Sequence, residues 1–327
     1  MSYRRHRSAR NWGCRLHEIT WFGLRAIVLE NELLRVTVLV DKGGDVAEFL
    51  YKRRDTDFVW LAPDGIRNPR DVAGGASDDV AAFLDHYEGG WQEVLPNGGE
   101  PSTHRGVALA QHGEVAGLPW DADIVADEPG EVAVRLTVRA RRTPLYVAKT
   151  FRLTGGEPRL RIEEELTNES DVPLEVMWGH HIVFGAPFLR PGHRIDLPDE
   201  VAADPVVAEA GLTVVPERGA PSDIHYLTGF PDGDGWYEIS DPETALGLRV
   251  SWDASVLPHL WVWRELGATR EAPWWGRAYV VGLEPFAGHP TEGLAEAVRN
   301  GSAMPLEPRA TRSLWLTANV IEGGATR

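Results

Sequence analysis

Hydrophobic and polar positions in this chain alternate in short runs far more often than they recur at helical spacing. From residue 24 onward LRAIVLEN, LLRVTVLVDKGG and AEFLYK are β-branched runs closed by polar or glycine punctuation, which predicts strands. The same character returns in EVAVRLTVRARR, in YVAKTFRLTGGEPRLRIEEELTNES and in VPLEVMWGHH. Within the second of these, YVAKTFRL and RLRIEEEL alternate on either side of a turn at Gly155 and Gly156. Alternation with one wet face predicts antiparallel sheet.

Further strands are predicted in GWYEIS, LGLRVSW, HLWVWREL, RAYVVGLEPF and RSLWLTANVIEG, separated by turns such as FPDGDG and SDPETALG. Helical spacing is confined to DVAAFLDHY at 79–87 and TEGLAEAVRNG at 291–301, the second ending in the Asn-Gly of a helix C-cap. Many strands, few short helices and no βαβ alternation predict an all-β fold, a sandwich of large antiparallel sheets. With no internal repeat or linker, the expectation is one domain over 1–327, with 1–20 as an N-terminal extension and 62–80 as a long surface loop.

Composition narrows the function classes. A formal net charge of −16 repels a phosphate backbone or an anionic membrane, and the one basic cluster, RRHRSAR at 4–10, reads as a solvated terminus. No nucleic-acid or membrane partner is therefore expected. Cys14 is the only cysteine, so neither an internal disulfide nor a cysteine metal cluster is expected, consistent with a reducing cytoplasm. The chain has no apolar stretch long enough for a membrane-spanning helix and no signal-like N-terminus, which predicts a cytoplasmic protein. The histidines show no metal-binding helical spacing, and no phosphate-loop, dinucleotide or GxSxG motif is present, so no metal or cofactor is expected.

Three islands carry titratable residues in apolar or glycine-rich frames: QHGEVAGLPW at 111–120, MWGHHIVFG at 177–185 and VGLEPFAGHP at 281–290. In the first, Gly113 after His112 clears the approach to the imidazole, a pattern that fits a structural histidine equally well. In the second, His180 and His181 must point to opposite faces of an extended backbone, and alternation alone does not say which faces a cleft. In the third, Glu284 sits inside an apolar strand before Pro285, where a carboxylate is costly unless it is paired or functional. Burial would lift its pKa toward the range of a base at neutral pH.

A further segment, EGGWQEVLPNGGEPSTHRG at 88–106, presents Trp91, Gln92, Glu93, Asn97 and His104 among glycines that permit close approach of a ligand; the competing reading is a Gly-rich turn with a core tryptophan. Of the 13 tryptophans most are expected to fill the core, with Trp263 a candidate substrate contact and the loop pair Trp274 and Trp275 a candidate platform.

In their order and spacing these segments resemble the aldose 1-epimerase (galactose mutarotase-like) superfamily over most of the chain. WFGLRAIVLENELLRVTVLVDKGGDVAEFLYKRRDTDFVWL is similar to its opening strands, GGWQEVLPNGG to its glycine-rich loop, QHGEVAGLPW to its His-Gly island, GHHIVFG to its second histidine strand and GLEPF to its glutamate strand. The resemblance implies a β-supersandwich with a sugar in a cleft across one sheet, and it selects His181 because an aromatic, Phe184, follows at the family's spacing. It also implies His112, His181 and Glu284 as the site set, with Glu284 expected as base, His181 as acid and His112 as a stabilising donor; Trp91, Gln92, Asn97, His104 and Trp263 are the expected substrate contacts. The resemblance does not place the family's site arginine securely, nor does it assign its sugar-binding aspartate to Asp232, Asp234 or Asp241.

The expected function is a cofactor-independent mutarotase acting on an aldose or a derivative, with a small carbohydrate as its partner. The alternatives are a carbohydrate-binding protein without turnover and an isomerase or lyase acting on a sugar acid. A glycosidase would need a second carboxylate beside Glu284, for which Glu93 is the candidate.

Overall fold

The computed structural model describes residues 13–69, 79–231 and 233–323. The first half of the chain forms β1 (Arg15–Trp21), β2 (Leu24–Glu30), β3 (Leu34–Leu39), β4 (Asp45–Tyr51), β5 (Thr56–Asp57), α1 (Asp79–Leu84), β6 (Trp91–Val94), β7 (Ser102–His104), β8 (Val107–Leu109), β9 (Asp121–Glu128), β10 (Glu131–Arg139), β11 (Leu145–Thr154) and β12 (Arg159–Asn168). The second half forms β13 (Leu174–Val176), β14 (Gly179–Phe184), β15 (Arg194–Asp196), α2 (Asp199–Ala202), α3 (Pro205–Glu209), β16 (Asp223–Leu227), β17 (Gly235–Ser240), β18 (Leu246–Trp252), β19 (His259–Glu265), β20 (Val280–Phe286), α4 (Leu294–Asn300), β21 (Met304–Leu306) and β22 (Thr311–Glu322).

Two large sheets result. The first runs β1-β2-β3-β4-β6-β14-β20-β19-β16 with β5 beside β4, and the second runs β15-β17-β18-β22-β12-β11-β10-β9. Neighbouring strands are antiparallel throughout both, as the alternation predicts. The hairpin of β11 and β12 turns at Gly155 and Gly156, and β12 keeps strict alternation with Leu160, Ile162 and Leu166 buried. These side chains meet Phe151, Val134 and Leu316 of the same sheet and Ile182, Trp91 and Phe49 of the other in one core between the sheets. Each buried aliphatic or aromatic side chain contributes roughly 1.5–3 kcal/mol through removal from water.

Several sequence expectations change. Residues 15–21, the end of the expected N-terminal extension, form β1 and pair along their length with β2. The basic cluster at 4–10 lies outside the described residues, as do 70–78 of the loop expected at 62–80. The run VPLEVMWGHH is two elements, since β13 pairs with β21 while β14 enters the first sheet. Between them, where the chain passes from the small two-stranded sheet of β13 and β21 into the first sheet, Met177 N–H donates to Pro96 O. Both expected helices form, and α4 ends at Gly301 in the left-handed conformation that Asn-Gly favours. The short helices α2 and α3 were not expected. Among the described residues no helix is long and apolar enough to cross a membrane.

Candidate active site

The tandem histidines of β14 divide between the two faces of the first sheet. Register places His180 opposite Glu93 and His181 opposite Gln92 of β6. On the other side of β14, Gly179 pairs with Phe286 and Val183 with Gly282, a register that sets His181 across from Glu284 of β20. Trp261 of β19 is the next neighbour of Glu284, and Tyr226 of β16 that of Trp261. Gln92, His181, Glu284, Trp261 and Tyr226 thus form one row on the face turned away from the core. In the adjacent row Gly282 leaves a gap between Val183 and Trp263, and the Glu284 carboxylate lies over it: a Cβ on Gly282 would stand 2.4 Å from Glu284 Oε1.

His181 and Glu284 form the floor of a cavity of about 440 Å³. His181 Nδ1 lies 2.8 Å from Glu284 Oε2, and His181 Nε2 lies 2.7 Å from the hydroxyl of Tyr87. His112 joins them from the loop after β8, its ring centre 5.1 Å from that of His181. That loop is held by a backbone clasp, with His112 N–H donating to Gly99 O at 2.9 Å and Gly99 N–H to His112 Nδ1 at 3.4 Å. His112 and Gly113 both adopt positive φ, and at Gly113 a Cβ would strike Leu95 O at 2.1 Å, so glycine is required there. Burial, reinforced by the neighbouring His181, holds the His112 pKa well below its usual value. The ring is therefore neutral, and with Nδ1 accepting from Gly99 its proton sits on Nε2.

The walls are apolar. Val80, Phe83, Leu84 and Tyr87 recur at helical spacing along α1 and its exit turn and line one side. Trp263, Trp274, Pro273 and Ile224 line the other, while Gln111, Glu100 and Thr291 are the remaining polar contributors. Such a chamber accommodates a small ring with apolar faces whose reactive end meets the histidines and the carboxylate.

The structure thus brings His112, His181, Glu284 and Trp263 to one cavity, and it separates the other candidates from it. Trp91 points into the core, where its Nε1–H donates to His180 Nδ1 at 3.1 Å. Gln92 shares the face of His181 but is covered, donating to Asp45 Oδ2 at 3.2 Å. Asn97 is saturated by structural bonds: it donates to Glu100 O and Ala110 O and accepts from Leu294 N–H at the start of α4. His104 pairs with Glu175 at 3.1 Å and faces a different hollow of about 250 Å³. Of the loop pair, Trp274 lines the cavity while Trp275 is 61% exposed. Among the described residues no arginine or aspartate lines the cavity; Asp241 lines another hollow beside Arg190, and Asp232 lies outside the described residues. Tyr87, Phe83 and Trp274 complete the site, and the helical spacing of 80, 83, 84 and 87 was the signal available for the first two.

Two buried charge clusters support the floor. On the core side Lys149 Nζ contacts Glu93 and lies 3.4 Å from Glu164, with His180 and the Trp178 indole N–H completing the group. Glu93, Glu164 and His180 are spaced closely enough to hold a metal ion, but the Lys149 ammonium already supplies the positive charge between the two carboxylates. Burial, then the nearby Glu93, push Glu164 well above the carboxylate range, and burial drops His180 to about 4. Burial raises Glu93, but the charge of Lys149 and the hydrogen bonds of Lys149 and the Trp178 indole outweigh it and hold Glu93 low, so it is committed to this network and does not line Glu284's cavity as a second carboxylate. On the other face, the Lys42 ammonium is shared by Asp45 at 2.9 Å and Glu88 at 2.5 Å, immediately beside Tyr87 in sequence.

Two facing antiparallel sheets with this cleft on the outer face of one of them define a galactose mutarotase-like fold. The solved structures that share it include a candidate aldose 1-epimerase from Klebsiella pneumoniae, with a TM-score of 0.78 and 16% identity over 95% of this chain and 88% of that one. A galactose mutarotase-like protein from Clostridium acetobutylicum aligns with a TM-score of 0.68 and 12% identity over 96% of this chain and 100% of its own. A galactose mutarotase related enzyme from Lactobacillus acidophilus aligns at 0.62 and 13%, over 92% and 99%. The chain itself belongs to the family described as a domain of unknown function, DUF4432, which matches residues 22–320. No curated protein matches the sequence.

Proposed function

We propose that the protein is an aldose 1-epimerase-like mutarotase that interconverts the anomers of a free sugar or sugar derivative. The observation that carries this reading is the cross-strand pair on the cavity floor, with His181 Nδ1 and Glu284 Oε2 2.8 Å apart. The anomeric and ring oxygens of a cyclic sugar are bonded to one carbon, so a base and an acid must act within about one bond angle of each other. Glu284 takes the proton of the anomeric hydroxyl, whose electron pair forms the carbonyl as the bond from the anomeric carbon to the ring oxygen breaks. The ring oxygen takes a proton from the His181 imidazolium. The carbonyl turns, and closure on its other face returns both protons. His112, neutral and with its proton on Nε2, is suited to donate to an oxygen on which charge develops.

The test is anomer exchange measured by polarimetry and NMR on a panel of neutral sugars, deoxy sugars and sugar acids. Glu284→Gln and His181→Ala are each expected to lower the rate by roughly 10²–10⁴-fold. Variants as fast as the wild type would sink the assignment. Calorimetric sugar binding without accelerated exchange would assign the cleft to binding alone, and a product of altered mass or connectivity would assign it to a lyase or another isomerase.

A further inference from the structure

The two ring nitrogens of His181 are in different situations. Nε2 is paired with the Tyr87 hydroxyl at 2.7 Å. Nδ1 is buried and close to Glu284, yet the carboxylate lies off the line of a ring N–H bond, so this nitrogen has no aligned partner among the described residues. Tyr87 is held by rings on several sides: Phe83 at 5.2 Å between centres, His181 at 5.4 Å, and Trp60 and Trp274 each at 6.1 Å. Burial first, then the charges of Glu284, Glu88 and Asp45, push its pKa well above the usual tyrosine value. It remains a hydroxyl, which both donates and accepts.

We propose that Tyr87 is a positioning residue for the acid–base pair: its hydroxyl oxygen accepts from His181 Nε2–H and keeps that proton in place, so that only Nδ1 exchanges protons with a substrate. The inference rests on the mutarotase reading. An imidazolium whose Nε2–H is bonded to Tyr87 releases the Nδ1 proton to the ring oxygen and becomes the neutral Nε2–H tautomer, with the Tyr87 bond intact. Its Nδ1 lone pair, beside the newly protonated Glu284, then recovers the proton on closure. A ring free to hold its proton on either nitrogen would spend part of its time with Nδ1 protonated and unable to recover it.

The groups that face His181 are Glu284 from β20, Tyr87 from the turn after α1, His112 from the loop after β8, Trp263 from β19 and Gln92 from β6. Glu93, Lys149 and Glu164 surround His180 on the opposite face. In this setting Tyr87→Phe keeps the ring packing and removes only the acceptor for Nε2–H. Orphaning that buried donor disfavours the imidazolium.

The experiment follows the His181 ring by ¹⁵N NMR in the wild type and in Tyr87→Phe, alongside mutarotation kinetics on whichever sugar the wild type turns over. The His181 titration, and the alkaline limb of kcat where the imidazolium is lost, are expected to move down by roughly one to two pH units. At neutral pH kcat falls roughly ten- to hundred-fold while KM changes little. A lost packing contact would lower the rate without moving the titration. The wild-type ring above its pKa is expected to carry its proton on Nε2, and the Nδ1–H tautomer there would overturn the inference even if the variant failed to fold. An unmoved titration in a folded variant would also overturn it. A wild type that accelerates no anomer exchange would overturn the mutarotase reading, and the NMR titration would still judge Tyr87.

Discussion

Gly282 and Glu284 stand two residues apart on one face of β20, and a methyl group on the first would meet the carboxylate oxygen of the second at 2.4 Å. The φ of Gly282 is not positive, so alanine fits its backbone, and the obstructing atom is the mobile end of a side chain. Gly282→Ala is expected to leave stability within about 1 kcal/mol of the wild type, because a permitted Gly→Ala change costs little. It displaces the carboxylate, and a misplacement on the order of 1 Å lowers kcat/KM roughly 100-fold. Thermal melting paired with anomer-exchange kinetics checks this; a variant of wild-type activity would show that the carboxylate position is not critical.

His104 and Asn97 separate a bystander from a scaffold. His104 faces a different hollow and pairs with a partly exposed Glu175, so His104→Ala should leave anomer exchange unchanged and cost no more than about 1 kcal/mol. Asn97 ties Glu100, Ala110 and Leu294 together and so anchors the loop that bears Gly99 and its clasp on His112. Asn97→Ala should destabilise by roughly 1–3 kcal/mol through buried groups left unpaired. Chemical denaturation and kinetics on both variants decide; a tenfold loss in His104→Ala would place that side chain in the substrate path.

Glu88 gives a pH signature of stability. Burial lifts it from 4.5 to about 8 despite its contact with Lys42. Because the folded state holds this proton more tightly than the unfolded state, the associated stability is complete below pH 4.5 and is lost as pH rises toward 8. Glu88→Gln should flatten that part of the stability–pH curve, with a relative gain on the order of a few kcal/mol by pH 8. Urea denaturation at pH 5 and pH 8 reads it out; parallel losses in wild type and variant would assign the slope to other groups.

The alternation of β12 and the Gly-Gly turn before it specified that hairpin in the sequence, and period-2 runs elsewhere revealed the sheets. The floor of the site was legible through polar residues in apolar strands, since Glu284 and the His180–His181 pair stand out there. The same periodicity that exposes such residues hides which of them share a cavity. Trp91 and Gln92 are adjacent, yet one enters the core and the other, on the cavity face, is buried against Asp45 and stays out of the cavity lining. Lys149 and Glu164 occupy inward rows of otherwise apolar strands, an anomaly explained only when Glu93 and His180 arrive from the opposite sheet. Tyr87 and Phe83 belong to a helical stripe that would ordinarily predict core packing, and here the stripe faces a cavity.

That stripe divides the site into parts of unequal freedom. Glu284 and His181 are fixed to central strands, and His181 shares its strand with a residue of the buried charge network, so a change in the floor disturbs the core as well. Val80 and Leu84 sit on one short helix and belong to neither network, whereas Phe83 of the same helix packs against Tyr87 and His112. Exchange of Val80 and Leu84 remodels the shape presented to a ring while the proposed proton-handling groups keep their neighbours. Within the family, divergence in the compound accepted is therefore expected to concentrate at the positions of α1, ahead of any change in the histidines or the glutamate.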